Sequence, residues 1–237
     1  MAGPTPAFAC AHRGLSGEKP ENTLAAFGAA VAAGFPAVEL DLRTTKDGQL
    51  VILHDASLER TTDGRGRVET LVLREVQDFD AGGGPVPRLE DLVTMLRSWD
   101  GLYNLELKST SAAKPTVDVV RQQRLGARVQ ISSMDPKALA EVHHLAPEIA
   151  RGLICLGPPD DGDVATAQDT GCTWINVDHD FIDAPGEVAA WQKAGLRVAA
   201  WTVNDAARAK ALVAMGVRCI ITDMREVGAA VPGKGAW

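Results

Sequence analysis

Short runs of apolar and β-branched residues recur along the chain, and most are followed by a stretch where apolar positions return every three to four residues. This patterning predicts strands at about 7–12, 37–43, 102–108, 127–132, 150–155, 173–177, 196–202 and 218–222. Helices are predicted at about 23–33, 88–99, 112–124, 136–145, 161–170, 182–194 and 205–215, with a short one after 224. The first helix has Asn22 or Thr23 as N-cap, Leu24, Phe27 and Val31 on one face, and Gly34 as its stop. The seventh repeats the punctuation with Asn204 as cap and Gly216 as stop.

Eight strands alternating with eight helices predict an α/β fold of the closed parallel (β/α)8, or TIM barrel, type. A doubly wound open sheet would want a Gly-rich dinucleotide fingerprint, which the chain lacks. One apolar run, 50–54, breaks the alternation. It follows strand two after only Lys46-Asp47-Gly48-Gln49, too short a link for a right-handed crossover helix. It is therefore assigned to an insertion of about residues 44–87 between strand two and helix two, within a single domain spanning 1–237. Loops after barrel strands build the catalytic face, so His54 is expected to reach it on that insertion.

Composition narrows the partners. The 237 residues are 46% hydrophobic and 23% charged, which is ordinary globular composition, and the net charge is −7. That balance argues against a nucleic-acid footprint, yet permits an anionic substrate where a bound cation inverts the local sign. Cys10, Cys155, Cys172 and Cys219 fall singly in or beside apolar runs and read as buried reduced thiols. Met1-Ala2-Gly3-Pro4-Thr5-Pro6 has no basic or long apolar leader character, and no later stretch could span a bilayer. A cytoplasmic protein without integral membrane association is expected.

The candidate chemistry sits at strand ends. His12 and His54 each close a short apolar run, with Glu39 and Asp41 between them in sequence. Side chains alternate along a strand, so Glu39 and Asp41 share one face, as do Asn104, Glu106 and Lys108 on the third strand. Gathering these charges without partners would cost several kcal/mol each, a cost that a hard divalent cation among the three carboxylates would offset. Oxygen ligands suit Mg²⁺ or Ca²⁺. The competing reading is a structural ion-pair network, Glu106 with Lys108 or Asp41 with Arg43. The two histidines flanking the acidic cluster fit a general acid and a general base. Arg13 can fork onto phosphate oxygens, or bridge to Glu21, or both. Trp201 ends the seventh strand, where it would wall a pocket or fill core. Thr61-Thr62-Asp63-Gly64-Arg65-Gly66 reads as a turn, and His143, His144 and His179 lie outside the constellation.

Several motifs run in order over nearly the whole chain: His12-Arg13-Gly14, Lys19 to Phe27, Glu39-Leu40-Asp41, Thr45 to Gly48, Val51 to Asp55 and Leu58 to Gly64. Pro87 to Glu90, Asn104 to Lys108, Ser132-Ser133, Trp201 to Asn204 and Ile221-Thr222-Asp223 complete the series. In these the sequence resembles the glycerophosphodiester phosphodiesterase family, metal-dependent enzymes on a TIM barrel. The resemblance implies hydrolysis of a glycerophosphodiester to sn-glycerol 3-phosphate and an alcohol. It also implies Glu39, Asp41 and Glu106 as metal ligands, His12 and His54 as the acid–base pair, Arg13 and Lys108 on the phosphate, and Glu21 as support. The chain departs from the family pattern at Met134, often aromatic, and at Met224-Arg225-Glu226, where a proline often follows Thr-Asp. Rival readings are a lysophospholipase D-type hydrolase of the same superfamily and a non-catalytic phosphodiester-binding barrel.

Overall fold

The computed structural model describes residues 6–237, so the expectation drawn from the first five residues lies outside it. Among the described residues nine strands are formed: β1 (Phe8–Ala11), β2 (Ala37–Thr44), β3 (Leu50–Ile52), β4 (Leu102–Leu107), β5 (Val129–Ser133), β6 (Ala150–Cys155), β7 (Trp174–Asp178), β8 (Arg197–Trp201) and β9 (Cys219–Thr222). All but β3 pair in parallel with two neighbours, and β1 bonds both β2 and β9, which closes an eight-stranded barrel. The helices are α1 (Leu24–Ala32), α2 (Leu73–Gln77), α3 (Leu89–Met95), α4 (Ala113–Gln122), α5 (Pro136–Leu145), α6 (Asp161–Asp169), α7 (Pro185–Lys193), α8 (Ala206–Met215) and α9 (Arg225–Ala230). The closed parallel α/β barrel is the architecture that the patterning predicts.

Two-residue alternation turns one set of strand residues outward onto the helices, and the other set inward, where an apolar cluster that includes Cys10, Ala199 and Ile221 lies with the buried carboxylates. Along β2, Val38, Leu40 and Leu42 join the core shared with Phe27 of α1 and Leu89 of α3. Each such side chain contributes roughly 1.5–3 kcal/mol on leaving water. Glu39 and Asp41 are thereby turned to the barrel interior. At the N-terminal ends of the strands, Phe8, Trp174 and Trp237 stack edge to face, with Trp174 and Trp237 centroids 5.4 Å apart. That aromatic plug leaves the opposite end as the one available for chemistry.

The structure adds detail to three sequence expectations and alters part of two. Segment 50–54 stays outside the parallel order of the barrel and starts as a strand, β3, that pairs antiparallel with β2, Leu42 opposite Ile52 and Thr44 opposite Leu50. A four-residue link that cannot cross over can still form a hairpin. The rest of the excursion folds on its own small cluster, including Leu58, Val68, Val76 and Val86. On α1 the cap is Thr23, and the fully buried positions are Ala26, Phe27 and Ala30, with Leu24 and Val31 only partly covered. The cap of α8 is Asp205, whose carboxylate accepts from the Arg208 N–H at 2.6 Å, so Asn204 is released from the role first assigned to it.

Candidate active site

His12 continues the β1–β9 ladder by donating its backbone N–H to Thr222 O at 2.9 Å. The chain then turns sharply, with φ of 55° at Arg13 and 78° at Gly14. A Cβ on Gly14 would lie 2.6 Å from the backbone carbon of Ala26, so only glycine lets this turn rest on α1. The turn aims Arg13 inward. Its backbone N–H donates to Glu39 Oε2 at 2.9 Å, its Nη1 to Glu21 Oε1 at 2.9 Å, and its Nε stands 3.3 Å from Asp41 Oδ2. Asn22, at φ 59°, donates Nδ2–H to Asp41 Oδ2 at 2.7 Å.

His54 leaves the end of β3 already fixed. Leu53 N–H donates to Asp41 O at 3.0 Å, and Arg43 Nε donates to His54 O at 2.8 Å. Arg43 is thus spent on the backbone, and of the competing ion-pair network the Asp41–Arg43 pair does not form among the described residues. Each imidazole meets an aspartate at Nδ1: His12 lies 2.8 Å from Asp223 Oδ1, and His54 2.7 Å from Asp55 Oδ1. Asp223 also accepts from Ser16 Oγ and Asn204 Nδ2, both at 2.7 Å. Asp55 accepts from Arg60, which bridges to Glu21 at 2.8 Å. With Nδ1 engaged, Nε2 of each ring is the nitrogen available for proton transfer.

Glu39, Asp41 and Glu106 present carboxylate oxygens within 4.8 Å of one another. Glu39 and Asp41 are 3% and 1% exposed. Burial and then the Asp41 charge raise the Glu39 carboxyl to about 8. Burial and Asp41 raise Glu106 as well. Burial would raise Asp41 too, but Lys108 and Arg13 hold it below the usual range. Lys108 Nζ lies 2.8 Å from Asp41 Oδ1 and also bonds Glu106. The ion-pair reading of Glu106 and Lys108 therefore holds, yet the trio stays under-compensated: three carboxylates face two cations.

The residues fit a divalent cation. Glu39 Oε1 is buried without a hydrogen-bond partner, an acceptor that folding alone leaves unmatched. Three clustered carboxylate oxygens are the hard donors that Mg²⁺ or Ca²⁺ takes. A +2 ion would favour the ionised form of all three carboxylates and offset their charge.

The histidines differ in titration. Burial, helped by the Lys108 and Arg13 charges, pushes His54 down against the upward pull of Asp41 and Asp55. Burial opposes charge on His12 too, but the Asp223 bond and Glu39 outweigh it and raise its pKa. Asp223, despite its own burial, is held well below the usual carboxylate range by His12, Asn204 and Ser16.

A cavity of about 330 Å³ collects His12, Arg13, Glu39, His54, Glu106 and Lys108 on one side. Trp201 lines it from the end of β8 and also packs against the apolar cluster of the barrel interior. Asp41 is under the surface, and Glu21 stands behind Arg13. Sequence reading missed Asp55, Asp223, Asn204, Asn22 and Arg60 as site residues. The signal was present for Asp55, which directly follows His54, and for Asp223, which ends the last strand. Among the described residues a second possible metal-binding trio, Asp178, His179 and Asp180, lies at the end of β7 and on the turn that follows. All four cysteines are buried and free, and no described helix is long and apolar enough to cross a membrane.

Residues 12–227 match the glycerophosphoryl diester phosphodiesterase family. A glycerophosphodiester phosphodiesterase from Caldanaerobacter subterraneus subsp. tengcongensis is 32% identical, over 91% of this chain and 93% of that protein. A phosphodiesterase from Oleispira antarctica, solved in complex with the product sn-glycerol-3-phosphate, superposes with a TM-score of 0.89 at 30% identity, covering 94% of this chain and 96% of that one. A glycerophosphodiester phosphodiesterase from Agrobacterium tumefaciens C58 gives 0.82 at 28% identity, over 95% and 100%.

Proposed function

The chain belongs to the glycerophosphoryl diester phosphodiesterase family, and we propose that it hydrolyses glycerophosphodiesters to sn-glycerol 3-phosphate and an alcohol with bound Mg²⁺ or Ca²⁺. The observation that carries the reading is two histidines on one cavity, each held at Nδ1 by its own aspartate, beside three carboxylates and Arg13. Glu39, Asp41 and Glu106 would hold the cation, which when bound supplies Lewis-acid polarisation of a phosphoryl oxygen. Arg13 and Lys108 offset charge that builds on the phosphate during P–O cleavage. Glu21 keeps the Arg13 fork aimed. One imidazole takes a proton from the attacking water, or from the glycerol hydroxyl next to the phosphate. The other hands a proton to the departing alkoxide. The opposite shifts of His12 and His54 suit a pair that must hold unlike protonation states at once. Buried free thiols suit a reducing compartment, which supports a cytoplasmic setting.

The test is a panel assay after chelation: glycerophosphocholine, glycerophosphoethanolamine, a lysophospholipid and bis(p-nitrophenyl) phosphate, each with Mg²⁺ or Ca²⁺ restored. Release of sn-glycerol 3-phosphate from a soluble diester is expected. No hydrolysis of any compound with either cation overturns the reading.

One observation favours the lysophospholipid as second substrate. Met134 and Leu156, on the cavity rim, are 43% and 67% exposed, an apolar edge beside a charged centre.

A further inference from the structure

Glu21 and Asp55 come to the site from different parts of the chain, and a single guanidinium lies between them. Arg13 and Glu21 belong to the segment that joins β1 to α1, whereas His54, Asp55 and Arg60 belong to the excursion that follows β2. Arg60 forks onto both carboxylates. Its Nη1 and Nη2 donate to Glu21 Oε2 and Oε1, both at 2.8 Å. Its Nε donates to Asp55 Oδ2 at 2.7 Å, and Nη2 reaches Asp55 Oδ1 at 3.0 Å. Nη2 therefore touches two particular oxygens. Glu21 Oε1 is the atom that accepts from Arg13 Nη1 at 2.9 Å, and Asp55 Oδ1 is the atom 2.7 Å from His54 Nδ1.

Burial would raise the Glu21 carboxyl, but Arg60 and Arg13 hold it below its usual range. Arg60, above all, holds Asp55 well below the usual carboxylate range. Both acids thus stay ionised as acceptors. A part-exposed ion pair adds little to stability, yet a planar guanidinium forked onto two carboxylates fixes direction as well as distance. Arg60 does not line the catalytic cavity. It faces a separate open hollow of about 600 Å³, which Glu21, Thr61 and Asp63 also line.

We propose that Arg60 is a positioning residue that sets Arg13 and His54 relative to each other, joining the phosphate-binding arginine and the acid–base histidine into one unit. The inference rests on the phosphodiesterase reading and adds to it a joint outside the cavity. Without that joint Glu21 still holds Arg13 and Asp55 still holds His54, but the two pairs no longer share a common anchor. Arg13 grips the phosphate in both the bound and the reacting diester, whereas His54 acts only in the chemical step. A role confined to His54 would lower kcat and leave KM in place; a joint moves both.

Steady-state kinetics of Arg60→Ala and Arg60→Lys on a soluble diester of the panel, with Mg²⁺ or Ca²⁺ present, test this. Arg60→Ala is expected to lower kcat and raise KM, each by about two- to fivefold, the worth of a part-exposed ion pair in good geometry. Arg60→Lys is expected to show losses in both constants too, because an ammonium cannot fork onto two carboxylates. Guanidinium chloride at millimolar concentration, far below what unfolds a protein, is expected to restore both constants in Arg60→Ala through the open hollow. Sodium chloride at the same concentration should not. Arg60 is half-exposed, so both variants are expected to fold. Unchanged constants, a loss of kcat alone, or losses in Arg60→Ala that guanidinium does not repair better than sodium overturn the joint while the wild type stays active. A wild type inactive on every diester overturns the phosphodiesterase reading, and this inference with it.

Discussion

His12 Nδ1 lies 2.8 Å from Asp223 Oδ1, a contact between residues 211 positions apart that joins the end of the first barrel strand to the end of the last. The aspartate does two things for the imidazole. It fixes the ring by engaging Nδ1, and it sustains positive charge that burial would otherwise suppress. Removing it therefore has a defined sign. Asp223→Asn is expected to lower the His12 midpoint, because burial then acts with less opposition. Histidine NMR titration of the cation-free protein checks this, and an unchanged or raised midpoint would contradict the role.

The histidines should act as a pair. His12→Ala and His54→Ala are each expected to reduce turnover by about 10²–10⁴, the usual range for a general acid or base. Melting temperatures should move little by comparison, which circular dichroism would show. Either variant with near-normal turnover removes that residue from the chemistry.

Asp55 and Arg60 support His54 without reaching the cavity. Asp55→Ala is expected to lower kcat by about tenfold or more with KM less affected, since a mis-set base or acid hurts the transition state most. Arg60 is half-exposed, so Arg60→Ala should cost at most about 1 kcal/mol of stability in chemical denaturation. Its effect on kcat should run in the same direction as that of Asp55→Ala and be smaller.

The carboxylate trio predicts a pH dependence of stability. A carboxyl whose folded pKa of about 8 exceeds its ordinary 4.5 binds more protons folded than unfolded between those values. Unfolding free energy from Glu39 therefore falls as pH rises through that interval. Bound Mg²⁺ or Ca²⁺ is expected to oppose the fall, by about 2.7 kcal/mol at a hundred times its dissociation constant. Denaturation curves across that interval, with and without cation, provide the measurement. Glu39→Gln should flatten the cation-free slope and weaken the stabilisation by cation. A wild-type curve indifferent to cation would remove the trio as a metal site.

The apolar rim predicts a substrate bias. Leu156→Ser is expected to lower kcat/KM for a lysophospholipid several-fold relative to glycerophosphoethanolamine, about one leucine side chain's partial burial. Equal changes for both substrates would place Leu156 outside the binding surface.

Periodicity made the barrel readable, because strands buried on one side by helices and helices with one apolar face each leave a plain pattern. The two histidines and three carboxylates were equally plain, as rare or costly residues at strand ends. What stayed hidden was tertiary. Asn204 looks like a helix cap in sequence, and only the fold shows its side chain turned to Asp223 while Asp205 caps the helix. Asp223 itself is an ordinary acid after an apolar run until β9 is laid beside β1. The β3 run could be excluded as a barrel strand by its short link, but its antiparallel partner could not be named from apolar content alone.

The β2–β3 hairpin gathers Glu39, Asp41 and His54 onto one ribbon, with the Leu53 N–H bonded to Asp41 O. Its side chains alternate every residue, so a slip of one position between these strands would swing His54 to the opposite face while leaving the barrel closed. Changes in the length of the Thr45–Gln49 turn thus threaten catalysis through alignment, and a variant of that kind would be a well-folded protein without activity.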